Sequence, residues 1–348
     1  MELYVEETKR LIKAVVEKNA HGELKKMIDY HFESWGKLNR PKAVGLLAQA
    51  LNANALATIG WAAGLEMFHN GTLIHDDIQD GDILRRSRPS VWRKFSKNLA
   101  ITGGDFLMVN ASECILNSDL DLEKKHMLIT LFNRLASEVM DGQCREFKLS
   151  ELESCKGISN RYLECAGMKT ASLYANLAKG VGIIANAKEE TQVDLEDIFY
   201  KLGLLMQMQD DIVDLYGDKQ RDMQGNDLKE GKVSFLIVKH LESNQSNFEV
   251  IKKLLSRKRE NILRGEILII KEQFIRDGTL ARALSELMDR SYALLQHEYL
   301  QKNPTVESVI SIFIEELLKP LDGMAETVLQ LNQGLSKQII GQRYGAQL

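Results

Sequence analysis

Proline is scarce: four occur among 348 residues, and long stretches have none. Proline removes a backbone donor and clashes inside a helix, so this scarcity favours a mostly helical chain. Cysteine is equally sparse. Cys114, Cys144, Cys155 and Cys165 form no CxxC pair, which argues against a disulfide frame or a zinc site and suits a reducing compartment. No internal repeat, low-complexity linker or credible strand run is visible. No apolar run reads as long enough to span a bilayer, so no membrane insertion is expected. The N-terminal stretch MELYVEETKRLIKAVVEK carries acids and lacks the apolar run of a signal peptide. A cytoplasmic location is the expectation. Basic excess is missing too: a net charge of −4 argues against a general nucleic-acid binder.

What is present is globular. Hydrophobic residues make up 44% and charged residues 27%, enough for a large core. Nothing marks a domain boundary, so one all-α domain over residues 1–348 is expected. Residues 2–18 predict an amphipathic helix that buries Leu3, Leu11, Ile12, Val15 and Val16. WGKLNRP, residues 35–41, holds a glycine, two cations and a proline suited to a helix's first turn; alone it reads as a connecting loop. Residues 42–68, rich in Ala and Leu, predict helix buried on most sides, interrupted or bent at Asn70-Gly71. GGDFL, residues 103–107, predicts the opening of another apolar helix. Residues 121–149 predict one long helix. Gly142 inside it costs about 1 kcal/mol against alanine, which points to close packing or a nearby ligand. Residues 194–216 predict a helix capped by Asp194, and residues 305–317 a last apolar helix. Lys169 lies among small apolar residues; a snorkelling surface lysine is the alternative.

Two acidic clusters break this apolar pattern. LIHDDIQDGDILRRSRP, residues 73–89, sets Asp76, Asp77 and Asp80 before Arg85 and Arg86. QMQDDIVD carries Asp210, Asp211 and Asp214. Residues i and i+4 share a helix face, so Asp76 with Asp80, and Asp210 with Asp214, can each aim two carboxylates at one point. Adjacent carboxylates repel and are costly to bury unpaired. Hard divalent cations between the clusters would offset the repulsion, and magnesium commonly bridges carboxylates to phosphate. The expectation is a diphosphate held by metal between two acidic walls. Metal-bound diphosphate is a good leaving group. Its loss from an allylic carbon leaves a cation that needs a dry, apolar cavity.

Taken together, GKLNRP, LIHDDIQD with DILRRSRP, GGDFL, GQCRE, MKTASL, QMQDDIVD and GNDLKEGKVSFL resemble the trans-isoprenyl (polyprenyl) diphosphate synthases. The likeness is to a geranylgeranyl diphosphate synthase in particular. It covers about residues 30–320 in order and leaves residues 321–348 as a C-terminal extension. It implies an isoprenoid synthase helical bundle around a central cavity, a homodimer, and about three magnesium ions. The substrates implied are isopentenyl diphosphate and an allylic diphosphate. Asp76, Asp77 and Asp80 would hold two of the ions, and Asp210 with Asp214 the third. Arg85, Lys169 and Lys232 would contact the allylic diphosphate, and Thr170 and Gln207 the forming bond. Lys37, Arg40, His69 and Arg86 would bind isopentenyl diphosphate without metal; a satisfied interhelix histidine is the alternative for His69.

Two positions depart from the resemblance. Ser87 stands where the family has glycine. Met223 stands where it usually has a lysine, with Lys219 or Arg221 as nearby substitutes. In the family, bulky aromatics four and five residues before the first aspartate close the tail pocket early. Here those positions are Thr72 and Gly71, so a deeper pocket is expected. Phe68, about two turns up the helix, is its first candidate floor, with plain core packing as the alternative. The expected product has about twenty carbons or more. The rival readings are a farnesyl diphosphate synthase, a class I terpene cyclase, and a non-catalytic subunit that modulates an active synthase.

Overall fold

The structure, a computed structural model, describes residues 1–217, 224–321 and 323–324. It opens with α1 (Glu2–Asn19), α2 (Gly22–Phe32), α3 (Asn39–Ala50) and α4 (Ile59–Gln79). A small hairpin follows, in which β1 (Leu84–Arg85) pairs antiparallel with β2 (Arg88–Pro89). Next come α5 (Val91–Lys94), α6 (Lys97–Leu116), α7 (Leu122–Ser150) and α8 (Ile158–Ala166). One π-helical turn, Gly167–Ala171, joins α8 to α9 (Ser172–Ile184). The chain continues with α10 (Glu189–Tyr216), α11 (Asn226–Lys229), α12 (Phe235–Ser243) and α13 (Phe248–Leu255). The last helices among the described residues are α14 (Arg264–Arg276), α15 (Thr279–Leu295), α16 (Glu298–Lys302) and α17 (Pro304–Leu318).

The fold is all-α, as the sequence predicts. Its hairpin is too short to produce an alternating pattern, which is why no strand was legible. Several local expectations are corrected. Leu3 is exposed, and Tyr4, Val5 and Thr8 take its place on the buried face of α1. Residues 42–68 are not one helix. They break after Ala50, where Asn52 adopts φ 54° and the Asn54 side chain accepts from the Leu56 N–H. Both asparagines offer the backbone a local alternative to helix. Asn70-Gly71 does not interrupt α4. Gly71 lies where α6 crosses, and a Cβ there would sit 2.6 Å from Met108 Cγ and 2.9 Å from the Gly104 oxygen. Gly103 and Gly104 lie inside α6, whose N-cap is Ser96. Likewise α10 begins at Glu189, so Asp194 lies within it rather than at its cap. Finally, α6 is long and apolar enough to cross a membrane by length and composition, which the sequence reading missed. Its inner face packs along α4.

One contiguous apolar cluster runs from Tyr4 to Met324. Its centre is α4 against α6 and α10 against α9. Trp61 ties the two pairs together: its Nε1–H donates to the Leu177 oxygen at 3.0 Å. This packing brings the C-terminal ends of α4 and α10, and with them both acid clusters, to the same end of the bundle.

Gly142 has a steric account. A Cβ there would lie 2.5 Å from the Lys169 backbone nitrogen and 2.8 Å from the Met168 carbonyl carbon, so α7 touches the π-helical turn directly. Gly142→Ala is therefore expected to destabilise the protein by about 1–3 kcal/mol through overpacking, although alanine is the better helix former. Thermal unfolding measures this; an unchanged or raised Tm rejects the packing account.

Candidate active site

A cavity of about 550 Å³ opens between the ends of α4 and α10. Asp76 and Asp80 line one wall, Asp210 and Asp227 the other. Lys232 joins the walls, its Nζ 2.7 Å from Asp80 Oδ2 and 2.8 Å from Glu230 Oε2. Burial pushes Asp80 up from the usual carboxylate range and nearby Asp76 adds to this, while Lys232 opposes. From the π-helical turn, Lys169 places its Nζ 2.6 Å from Glu146 Oε2 and 3.9 Å from Asp76 Oδ1. Burial works against the Lys169 charge, but Asp76 and Glu146 outweigh it and leave this lysine more basic than usual.

The side chains of the second cluster divide by function. Thr170 Oγ1 donates to Gln207 Oε1 (2.7 Å), and Gln207 Nε2 donates to Asp211 Oδ1 (2.7 Å). Asp211 Oδ2 accepts from the Tyr162 hydroxyl (2.8 Å) and the Phe235 N–H (2.7 Å). This chain fixes Thr170 and Gln207 at the cavity wall.

Two expected metal ligands face elsewhere. Asp77 is buried and lines the back of the wall, where Arg85 Nε donates to its Oδ1 at 2.8 Å. One residue along a helix turns the side chain by about 100°, so Asp76 and Asp77 cannot share a target. Asp214 is also buried, and its Oδ2 accepts the Asp227 N–H (3.0 Å) at the start of α11. Neither lines the cavity. Asp227 takes the place expected of Asp214.

The basic residues gather on the far side of the same cavity, where Lys37, Arg40, His69 and Arg86 all line the wall. Gly36, with φ 72°, makes room for the Arg86 guanidinium, whose atoms would lie 2.8–2.9 Å from a Cβ. Arg86 also donates to the Ser34 oxygen. Arg40 lies over the Tyr174 ring, 5.6 Å from its centroid, and its buried Nε has no protein partner. Burial drives His69 well below an ordinary histidine, and Arg40 and Arg86 add to the effect, so its ring is neutral. Beneath them Asn70 links α4 to α2. Its Nδ2 donates to Glu66 Oε1 (2.9 Å), and its Oδ1 lies 2.9 Å from His31 Nε2. Between the two arginine sites, Arg86 and Ser87 form the hairpin turn with φ 53° and 61°. A two-residue hairpin of this kind requires positive φ at both positions, which explains a glycine preference where Ser87 stands.

A second cavity of about 310 Å³ shares Arg40, His69, Asp76, Lys169 and Thr170 with the first. Phe68, Thr72, Met108, Val139 and Leu173 line it. Phe68 is buried edge-on against Phe132, ring centroids 5.4 Å apart. Gly71 does not line it and faces α6 instead, which removes Gly71 from the chain-length set.

Glu146, Asp227, Glu66 and Met108 were missed as site residues. Glu146 was within reach, one turn beyond Gly142 on the same face of α7. Met223, Lys219, Arg221 and the extension from residue 325 lie outside the described residues.

Among the described residues no three acids, histidines or cysteines already form a metal cage. The donor chemistry still fits a hard cation. Asp76 and Asp80 from one wall and Asp210, Asp211 and Asp227 from the other all line one cavity, and magnesium shared with a diphosphate needs only one or two carboxylates. The unpartnered Arg40 Nε fits an anion on the basic side.

Residues 21–267 match the family model described as polyprenyl synthetase. A geranylgeranyl diphosphate synthase of Methanosarcina mazei is 30% identical over 223 residues, which are 63% of this chain and 68% of that protein. One of Sulfolobus acidocaldarius is 25% identical over 316 residues, 88% of this chain and 92% of that protein. A crystal structure of geranylgeranyl pyrophosphate synthase superposes with a TM-score of 0.78 at 26% identity, covering 91% of this chain and 96% of that one.

The Glu66–Asn70–His31 chain has a pH signature. Burial lowers His31 to about 4 from 6.5, against the opposing bond to Asn70. The unfolded chain takes up this proton below about pH 6.5 while the folded chain does not. The contribution of neutral His31 is therefore complete above that pH and lost as pH falls towards 4. Relative to His31→Gln, the wild type should lose up to about 3 kcal/mol across this window. Urea unfolding of both at about pH 7, 5.5 and 4 checks it, and parallel curves would reject it.

Proposed function

The chain belongs to the polyprenyl synthetase family and is a prenyltransferase, and from that premise we propose that its cavity joins isopentenyl diphosphate to an allylic diphosphate, head to tail, giving a trans-prenyl diphosphate of about twenty carbons or more. The observation that carries this reading is the convergence of both acid walls on one cavity that also meets an apolar tunnel at Arg40, His69, Asp76, Lys169 and Thr170.

Asp76, Asp80, Asp210 and Asp227 would hold divalent cations, with magnesium the expected ion and about three per site. Cations held by these four carboxylates would neutralise charge that develops on the departing diphosphate. Lys169, Lys232 and Arg85 cover further phosphate oxygens, and Arg85 also stiffens the wall through Asp77. On the basic side Lys37, Arg40 and Arg86 hold the second diphosphate by charge alone, and neutral His69 adds a hydrogen bond without adding repulsion. As the allylic C–O bond breaks, the Thr170–Gln207 row offers its oxygen dipoles to the cation. The double bond of isopentenyl diphosphate supplies the electrons of the new C–C bond, and a proton then passes from the adjacent carbon to an oxygen of the released diphosphate, its C–H electrons forming the product's new double bond. The apolar tunnel takes the growing tail and excludes water.

Its floor combines Phe68 with Met108, and Thr72 leaves the upper part open. The outer face of α6 leaves Leu99, Ile101, Val109 and Leu116 exposed. Such a face suits a second copy of the chain, so we place a homodimer here, in the cytoplasm.

Purified protein given magnesium, isopentenyl diphosphate and allylic primers of increasing length is expected to release products of about twenty carbons or more. Mass spectrometry reads the chain length, and a fifteen-carbon limit or a hydrocarbon made without isopentenyl diphosphate would overturn the reading. Phe68→Ala should lengthen the product by at least one isoprene unit. An unchanged product distribution would remove Phe68 from the floor.

A further inference from the structure

Between α13 and α14 the chain turns back and delivers one arginine to the outer edge of the acid walls. Arg259 Nη1 donates to the Asp80 backbone oxygen (2.6 Å) and to Glu230 Oε1 (3.1 Å). Its Nη2 donates to Asp82 Oδ1 (2.8 Å) and reaches Asn226 Oδ1 at 3.4 Å. Asp80 and Asp82 belong to the turn that ends α4. Asn226 and Glu230 belong to the segment that carries Asp227 and Lys232. One guanidinium thus spans both halves of the site while lining neither cavity.

The side chains of Asp82 and Glu230 are only 5% and 3% exposed. Charges that deep need a partner with fixed geometry. A planar fork can serve two carboxylates and a carbonyl together; an ammonium on a flexible stem cannot hold the same arrangement. The segment bearing Arg259 is itself fixed. Arg257 pairs with both carboxylate oxygens of Glu266, at 2.5 and 3.1 Å. Gly231, with φ 73°, lies so close to the Leu255 oxygen that a Cβ would not fit, so the Lys232 loop backs directly onto α13.

We propose that Arg259 is a positioning residue that buckles the turn after the first acid wall to the loop after the second, and so sets the spacing between Asp80 and Lys232 on which the allylic diphosphate site depends. The consequence for the allylic substrate rests on the reading given under the proposed function; the buckle itself does not.

The test compares wild type, Arg259→Ala and Arg259→Lys as full-length protein. Hydrogen exchange comes first, without metal or substrate. The reporters are the amides of Asp82 and Lys232, which donate to the Asp77 and Asp227 oxygens at 2.9 and 2.8 Å. Arg259→Ala should speed both by about tenfold, with α9 amides changing by less than about twofold. Arg259→Lys should stay close to the alanine variant, since it keeps the charge and loses the fork. Unchanged exchange in either segment, or an equal rise in α9, overturns the buckle. Steady-state kinetics with magnesium follow. The KM for the allylic diphosphate should rise about tenfold and that for isopentenyl diphosphate by less than about twofold. Equal shifts in both, or none, overturn the positioning role. Should Arg259→Ala fail to fold, Arg259→Lys carries both arms with the same outcomes. A wild type that makes no prenyl product sinks the reaction reading alone, because exchange is read without substrate.

Discussion

Carboxylates crowd the C-terminal ends of α4 and α10, where each helix macrodipole is already negative. Neither helix places a basic residue in its last turn. The folded chain therefore concentrates charge of one sign where its own backbone opposes it. Lys232 against Asp80, Lys169 against Asp76 and Glu146, and Arg85 against Asp77 relieve part of this field. The rest of the bundle holds the two helix ends against that field. The joint between Trp61 and Leu177, the glycine seam of α4 with α6, and the contact of Gly142 with Lys169 all fix backbone rather than fill space.

The two sides of the cavity solve anion binding differently. The acid side carries excess negative charge and suits an anion only when cations accompany it. The basic side has its own cations, one with an unpartnered nitrogen, above a buried Glu66 whose carboxyl is pushed up by burial. An anion accompanied by cations thus suits the acid side, and a bare one the basic side.

The helical class, the two acid clusters and the Asp76–Asp80 pair were legible because they rest on residue type and on spacing within one element; the basic residues near Lys37 came only from the resemblance, since WGKLNRP alone reads as a connecting loop. What escaped depends on where one element meets another. Asp76 and Asp77 are the same amino acid in adjacent positions, yet only a rotation about α4 and the reach of Arg85 decide which faces the cavity. Asp214 reads like Asp210 until α11 presents its N–H. Gly71 looked like a pocket residue because spacing places it near the tail, but α6 lies across it. Met108 reaches the tunnel from a different helix, which no periodicity within α4 could reveal. Gly103 and Gly104 read as a helix opening for the same reason: their function is to let a neighbour approach.

The π-helical turn at Gly167–Ala171 has a consequence for how this site could arise and vary. A π-turn lodges one more residue in a helix than an α-turn would. The side chains before it and after it therefore keep separate angular phases, as on two rods joined by a keyed coupling. Tyr162 on α8 can face Asp211 and α9 can present an almost wholly buried surface, while Lys169 and Thr170 occupy the coupling and point at neither rod's usual face. Loss of one residue there would leave composition and helicity nearly unaltered but would lock the two phases together and swing the lysine out of register. Length within those five positions is thus a constraint of its own, beside identity.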